Sequence, residues 1–507
     1  MFKIKDRTHF ITVLVVFITC IITAILQGSS FYNLSHSTKV TTFVIISIVY
    51  ALCIIAFAVG KRLNDDNIVI FIVLGAMLIR GTYVLLSGID ARQHDTGYYL
   101  GYDSATINPG HLGYIEFIYK FKRIPDFDPY LYFGYFHPPL HHIIAAVWLT
   151  LQRALHVVEE QAFENLQILT MCYSGLSITA LYRIFKELKI SGKGLCIGLS
   201  FMALHPALII MAGSVNNDML TIFLSVLIVY YGLRWIREPD SWGAIIKVAL
   251  AIGFGMLAKF NSSMMAFPVG LVFLLHLINK FKTKDGKEIW GIIKKYLVFA
   301  AIVAPMGFCW ILRNYINWHR LPSVDSNGAD SVLYMKMYSL WERFGIPAFS
   351  DWRFEFPFHP FSAASCHNVW VIMFQTGLFA EEYPTDLEGF WLVAACVAFV
   401  LSLVLAAITF VLLFKAFLDK RNSLWERIYL TSGYVLTIIF YILFQRVYPF
   451  TCSADFRYIV ITLLYIALTL GLSNKYYGDK WYMKVINILM IAFMALITLV
   501  YQFWGCW

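Results

Sequence analysis

Long apolar runs recur from one end of the sequence to the other, and they restrict its fold more than any other feature. Each run stays apolar for roughly 17–25 residues, the length at which a helix crosses the hydrocarbon core of a bilayer. The 507 residues are 59% hydrophobic and only 14% charged, a composition that soluble domains of this length do not have. Strands of a membrane barrel would instead alternate in shorter segments. We therefore predict an all-α polytopic membrane protein with about 13 transmembrane helices. The runs lie near 10–27, 41–60, 68–88, 166–185, 194–213, 219–236, 243–259, 262–279, 296–313, 391–414, 427–445, 457–473 and 483–503.

Lysine and arginine collect in every second connection between these runs. This pattern predicts that the basic connections and the N-terminus are cytoplasmic. It also accounts for the net charge of +9 without a nucleic-acid partner. Lys3, Lys5 and Arg7 precede the first run, which we interpret as an uncleaved signal anchor. The basic connections contain Lys61–Arg62, Arg183–Lys193, Arg234–Arg237, Lys280–Lys295, Lys415–Arg427 and Lys475–Lys484.

The opposite face then carries two large loops, at 89–164 and 314–390. The apolar segment 141–158 lies in the first of them. Counting it as a span would place the basic 183–193 connection outside, so we expect a helix on the outer membrane surface. The sequence shows no internal repeat and no linker long enough to separate independent domains, and we predict a single transmembrane domain over residues 1–507.

The first outer loop contains a carboxylate, Asp95, soon after the third apolar run. His94 precedes it, and Gly97, Tyr98 and Tyr99 follow. An isolated aspartate is usually a solvated loop residue or a helix cap. In this setting it is also a candidate general base for an acceptor hydroxyl.

Histidines are concentrated in the same loop. His137 opens the sequence His-Pro-Pro-Leu, which is either a structural helix start, because proline is tolerated in the first turn, or part of a binding site. Together with Asp95 the histidines could bind zinc, but their spacing matches no standard signature. We expect no metal or other cofactor. The histidines are His94, His111, His137, His141 and His142.

Cations on the predicted outer face form a second candidate group. Lys259 lies between two runs, where an unpaired charge would cost a few kcal/mol, and Arg313, Arg446 and Arg457 flank other outer segments. Singly, an arginine there is an interfacial anchor or a partner for a nearby acid such as Asp455. Jointly, they would fit an anionic ligand embedded in the membrane. Asn217, Asp218 and Tyr458 lie in adjoining turns, and the first two are also common turn formers.

The order and sidedness of these motifs resemble the C-type (GT-C) membrane glycosyltransferases, over about residues 68–473. The closest likeness is to the family 39-like group, which includes the protein O-mannosyltransferases and the lipid A aminoarabinose transferase. In that family an aspartate of the first outer loop, often followed by glutamate, is the catalytic base. The matching residue is Asp95, although Thr96 follows it here. The motifs are Asp95, His137–Leu140, Gly255–Lys259, Trp310–Asn314 and Phe456–Tyr458.

The resemblance implies a sugar donor linked to a polyprenyl phosphate, with its headgroup in an outward-facing cavity of a plasma membrane, most simply a bacterial one. The acceptor would be a hydroxyl of a protein, a lipid or a cell-wall glycan. The departing lipid phosphate needs cations and no general acid, whereas the acceptor hydroxyl needs a base. In-line attack would invert the anomeric centre.

Two other classes remain open. A transporter or flippase of lipid-linked saccharides predicts ionisable residues within the spans and two related halves. A polysaccharide polymerase or ligase would share the lipid-linked substrate but would depend on arginine and histidine in place of one aspartate.

Overall fold

The computed structural model describes residues 6–89, 108–282, 285–321, 331–360, 362–381 and 387–503. Within these ranges the regular structure is helical, apart from one isolated β-bridge between Tyr334 and Phe450. The α-helices are α1 (Arg7–Gln27), α2 (His36–Val59), α3 (Asp65–Leu86), α4 (Gly110–Phe121), α5 (Leu140–Ala154), α6 (Glu159–Glu164), α7 (Gln167–Glu187), α8 (Gly192–Leu204), α9 (Pro206–Gly213), α10 (Asp218–Arg237), α11 (Trp242–Ala258), α12 (Ala266–Phe281), α13 (Gly286–Trp318), α14 (Leu340–Phe344), α15 (Val369–Phe379), α16 (Gly389–Phe417), α17 (Leu424–Val447), α18 (Thr462–Tyr477) and α19 (Trp481–Phe503). Short 3₁₀ helices lie at Ser30–Asn33, Phe260–Met265, Phe349–Trp352, Cys452–Ala454 and Phe456–Tyr458.

Every predicted apolar run falls on a helix or on a broken helix, and the prediction of an all-α polytopic membrane protein is confirmed. In the described part of the chain, ten helical segments are long and apolar enough to cross a membrane, or eleven if α8 and α9 form one bent span. The remaining two runs form α11 and α18, which have only 17 and 16 residues. The predicted count of thirteen spans is therefore not confirmed.

Helix α5 occupies the segment that we predicted to lie on the membrane surface. Its 15 residues give a length of about 22 Å, which is shorter than the roughly 30 Å hydrocarbon core. One side is buried through Ala145 and Leu149, whereas Val147 and Leu151 are exposed. The length excludes a straight span, and the location at a bilayer surface stays a prediction.

A break between α8 and α9 explains a buried arginine inside the helical bundle. The two helices are bent by 44° at Pro206, which has no N–H to continue the ladder. The N–H of Ala207 bonds to the ring of His205 (3.3 Å), so the Ala203 carbonyl loses its usual helical donor. The fully buried Arg80 donates to that carbonyl instead, at 2.7 Å. Arg80 thus stabilises the break.

The first polar segment packs as a small core of its own. It contains α4, α5 and α6, with Leu112, Ile115 and Leu149 among its buried residues. The N–H of Gly110 at the start of α4 donates to the Phe133 carbonyl at 2.7 Å. Gly134 has φ +86°, and a Cβ there would lie 2.9 Å from the Gly110 carbonyl carbon. This close approach holds α4 against the chain that leads into α5.

Candidate active site

A buried ion pair joins the start of α10 to the end of α11. The Lys259 ammonium donates to the Asp218 carboxylate, and both side chains are buried. The side-chain amide of Asn217 donates to the Ala258 carbonyl at 2.8 Å, so a second bond crosses the same junction. A buried charge is tolerated when it is paired in this way. The pair therefore fixes a cation at a defined place where two helices end.

A second buried cation lies next to this pair. The Lys259 ammonium is 5.2 Å from the centre of the Tyr458 ring, and the Arg457 guanidinium is 5.1 Å from the same ring. The Arg457 guanidinium also lies 3.4 Å from the Glu381 carboxylate, and its backbone N–H donates to the Asp455 carboxylate at 2.6 Å. The structure thus brings together Lys259, Arg457 and Tyr458 from distant parts of the sequence.

Stacked histidine rings form the neighbouring part of the site. The His111 Nδ1 and His142 Nε2 atoms are 3.0 Å apart within hydrogen-bond distance, and the His137 ring stacks on His111 with centres 5.1 Å apart. Tyr114 stacks on His142 at 4.2 Å. His111 and His137, two of the histidines named from the sequence, are therefore in contact with each other.

His141 connects the histidines with the ion pair. Its ring is buried, and its pKa is lowered to about 3, mainly by burial and also by His111, whereas the Asp218 carboxylate acts in the opposite direction. Burial also lowers the pKa of His142. These rings are accordingly neutral at pH 7, and the influence of Asp218 on His141 places the histidine cluster beside the ion pair.

Two of the cations that we grouped with Lys259 have no described contact with the ion pair. The Arg313 guanidinium is 4.4 Å from the Trp310 ring centre and donates to the Pro125 carbonyl, so it contacts the first polar segment. Arg446 is exposed at the end of α17, and no described contact joins it to the ion pair. His94, Asp95 and Tyr98 lie outside the described residues.

An acidic side chain that sequence reasoning missed is Glu381, the partner of Arg457. Glu381 also acts electrostatically on His359. The pKa of His359 is lowered to about 4, mainly by burial, and the Glu381 carboxylate opposes that shift. The signal in the sequence was an acidic pair, Glu381–Glu382, directly after the apolar helix α15.

An apolar cavity lies beside Phe456, the residue that precedes the second cation in the chain. It is partly open to the outside, and its walls come from α8, α15, α16, α18 and α19. Phe456, the residue before Arg457, forms part of the wall and stacks on His205 with ring centres 5.9 Å apart. Ala406 and Leu463 are typical of the remaining lining. The cavity and the second cation are therefore connected through neighbouring residues of one short 3₁₀ helix.

The described histidines contact one another as a group of rings, whereas His94 and Asp95 of the candidate zinc group lie outside the described residues. No group of three or more histidine, cysteine, aspartate or glutamate side chains is arranged in the described part of the chain to hold a metal ion. The stacked ring planes of His111 and His142 differ by only 4°, and their nitrogens face each other. This arrangement favours a hydrogen-bonded stack over coordination of a shared ion.

The central part of the chain is similar to a known protein family. Residues 137–309 match the family described as dolichyl-phosphate-mannose-protein mannosyltransferase. This segment begins at His137 and includes Asp218 and Lys259. The match confirms the resemblance to C-type membrane glycosyltransferases that the sequence motifs predicted.

Comparisons with solved structures and with curated sequences add less than the family match does. The chain is similar to ArnT from Cupriavidus metallidurans in the apo state, at 16% identity, over 80% of this chain and 76% of that one, with a TM-score of 0.32. It is also similar to ArnT from the same organism bound to undecaprenyl phosphate, at 14% identity, over 83% and 77% of the two chains, with a TM-score of 0.33. Scores this low do not establish a common fold. No curated protein sequence matches the chain.

Proposed function

We propose that this protein is a C-type membrane glycosyltransferase that moves a sugar from a polyprenyl-phosphate donor to a hydroxyl acceptor, with inversion, at the extracytoplasmic face of the plasma membrane. The family match to residues 137–309 supports the reaction class. The positive-inside pattern supports the sidedness, because it places the connection between α9 and α10 and the connection after α11 on the outer side.

The observation that carries the proposal is the adjacency of two buried cations and an apolar cavity. Lys259 and Arg457 lie within about the same distance of the Tyr458 ring, and Phe456 lines the cavity. A lipid phosphate has the matching form, with an anionic group at one end of an apolar chain. A phosphate oxygen that replaced the Glu381 carboxylate as the partner of Arg457 would keep this arginine in an ion pair.

The reaction follows from this placement. The acceptor oxygen attacks the anomeric carbon, the bond from that carbon to the phosphate oxygen breaks, and the lipid phosphate leaves as an anion. Lys259 and Arg457 stabilise the developing negative charge, and fixed cations in a dry site do this better than water. The proton of the acceptor hydroxyl passes to Asp95, the general base of the proposal. Attack opposite the leaving group inverts the anomeric centre.

The remaining candidate residues are proposed to bind substrate or to anchor the outer segments. His111 and His137, stacked at the start of α5, and Asn217, at the ion-pair junction, are proposed to face the sugar or the acceptor. His94 and Tyr98 are proposed to accompany Asp95. Arg313 and Arg446 are proposed as anchors of the outer segments at the membrane surface, since the described contacts do not join them to the ion pair.

Binding of polyprenyl phosphate to the purified protein in nanodiscs tests the proposal. Arg457→Ala should weaken binding by roughly tenfold or more, corresponding to about 1.4 kcal/mol, and Arg457→Lys should retain part of it. Arg446→Ala is the matched control, because that arginine is exposed. Unchanged binding by Arg457→Ala would overturn the assignment of the phosphate site.

The cavity can be tested separately on one helix. Ala406→Phe fills the cavity from α16, whereas Ala407→Phe adds the same bulk to an exposed position of that helix. We expect only Ala406→Phe to weaken binding of the long-chain lipid. If both variants bind polyprenyl phosphate equally well, the chain does not occupy this cavity.

The transporter alternative predicted ionisable residues within the spans. Arg80 is one such residue, but it donates to the Ala203 carbonyl and to the Ser174 hydroxyl (2.7 and 2.8 Å). Both bonds serve the break between α8 and α9. Arg80 therefore does not favour a transport pathway over the transferase.

A further inference from the structure

The second predicted outer loop contains an apolar surface that the proposed reaction does not use. Between Val332 and Phe349, large apolar side chains stand out from the protein: Trp341 is 74% exposed, Ile346 87% and Phe349 82%. Val332, Met337 and Leu340 are also more than half exposed. We call this surface the 332–349 patch. Its residues lie outside the spanning helices, so the lipid around those helices does not by itself account for it.

The backbone that carries the patch is held in place by hydrogen bonds to other parts of the protein. Arg343, which is buried among the exposed residues, donates to the Gln445 carbonyl. The N–H of Met335 donates to the Pro449 carbonyl at 2.7 Å, and the N–H of Thr451 donates to the Leu333 carbonyl at 2.9 Å. These bonds attach the patch to the residues that directly follow α17.

The other side of the patch is attached to α15. The Asn368 side chain donates to the carbonyls of Glu342 and Gly345, at 3.2 and 3.1 Å. The Trp370 indole donates to the Phe344 carbonyl at 2.8 Å. The segment that carries the exposed side chains is thus bonded both to the end of α17 and to the start of α15. Its backbone therefore has a fixed position, as a permanent contact surface requires.

The attachment point sets the height of the patch. Helix α17 (Leu424–Val447) has the length and composition of a membrane span, so its end lies at the boundary of the hydrocarbon core. Leu443 and Val447 in its last turns are exposed, and the patch is bonded to the residues just beyond them. It therefore continues the lipid-facing surface of α17.

We propose that the 332–349 patch inserts into the headgroup and upper acyl region of the bilayer and holds the second outer loop on the membrane. Large exposed apolar surfaces mark contacts with proteins or membranes, and tryptophan is favoured at the membrane interface. The segment after α17, to which the patch is bonded, continues through Phe450 to Arg457. Anchoring the patch consequently holds that cation at the height of the lipid headgroups.

Site-directed spin labels on the full-length protein in nanodiscs test this. In a cysteine-free background, Trp341→Cys and Ile346→Cys should be several-fold more accessible to oxygen, relative to a water-soluble nickel chelate, than Asp126→Cys. Asp126 is the control because its side chain is exposed in the first outer loop. Labels at 341 and 346 that match the control would overturn the proposal. Labels shielded from both reagents would also overturn it, because a protein surface would then cover the patch.

A second measurement keeps all native cysteines and so does not depend on their removal. Phospholipids brominated near the top of the acyl chain quench tryptophans at that depth. The difference in fluorescence between the native protein and Trp341→Phe reports on Trp341 alone. We expect this difference to be quenched in the brominated bilayer. If it is equal in brominated and ordinary lipid, Trp341 is not inserted and the proposal fails.

Discussion

Lys259 and Asp218 are 41 residues apart in the sequence and form one buried ion pair. The aspartate opens α10 and the lysine follows the last residue of α11, so the pair fixes the meeting point of two helices. The Lys259 ammonium also lies over the Tyr458 ring. One residue therefore takes part both in the packing of the helices and in the proposed phosphate site.

These two roles can be separated by substitution. Lys259→Ala should reduce donor use by tenfold or more, and it should also destabilise the fold by about 3–5 kcal/mol, because Asp218 would remain buried without a cation. Replacing both residues, with Lys259→Met and Asp218→Leu, should restore most of the stability but not the transfer. Thermal unfolding in detergent and a transfer assay with a lipid-phosphate sugar measure the two effects. Recovered transfer in the double variant would show that Lys259 is only structural.

Asp95 is predicted to act on the acceptor and not on the donor. Asp95→Asn keeps the shape of the side chain but removes its ability to accept a proton, so turnover should fall by roughly two to four orders of magnitude. Binding of polyprenyl phosphate should be unchanged. Asp126→Asn is the control, since that aspartate lies in the same loop and pairs with Arg123 at the surface. Near-normal transfer by Asp95→Asn would contradict the catalytic assignment.

The sequence predicted the helices well because each apolar run has the length that a bilayer demands. It also drew attention to His137 through the proline pair that starts α5; the ring contacts His111, and its role in substrate binding stays a prediction. It did not predict Glu381 or the apolar cavity. Both depend on contacts between segments far apart in the chain, and neither leaves a periodic pattern. Arg446 shows the same difficulty, because sidedness alone does not show whether a cation points inward.

Acidification should destabilise the protein through His141. The pKa of His141 in the folded protein is lowered to about 3 from an ordinary 6.5, so the folded state favours the neutral ring. The contribution of the neutral ring to the free energy of unfolding is fully present above about pH 6.5 and is lost as the pH falls from about 6.5 towards 3. The loss is at most about 1.4 kcal/mol per pH unit for one such group. His142 changes in the same direction, because its pKa is also lowered by burial.

Thermal unfolding between pH 7.5 and 5 measures this dependence. His141→Asn removes the titrating ring, so its unfolding temperature should depend less on pH than that of the native protein. His156→Asn, at an exposed position just after α5, should leave the slope unchanged. Equal slopes for the native protein and His141→Asn would mean that His141 does not titrate on unfolding.

Transfer should persist after thorough chelation. The leaving phosphate is proposed to be neutralised by Lys259 and Arg457, and in the described residues no group of potential ligands is arranged to hold a metal ion. Treatment with EDTA, followed by assay with and without added Mg²⁺, Mn²⁺ or Zn²⁺, measures the requirement. Loss of activity that one of these ions restores would contradict a metal-free reaction. In that event Asp95 would be better explained as a ligand than as a base, because carboxylate and imidazole both bind zinc, and His94 and His137 would be the next residues to replace.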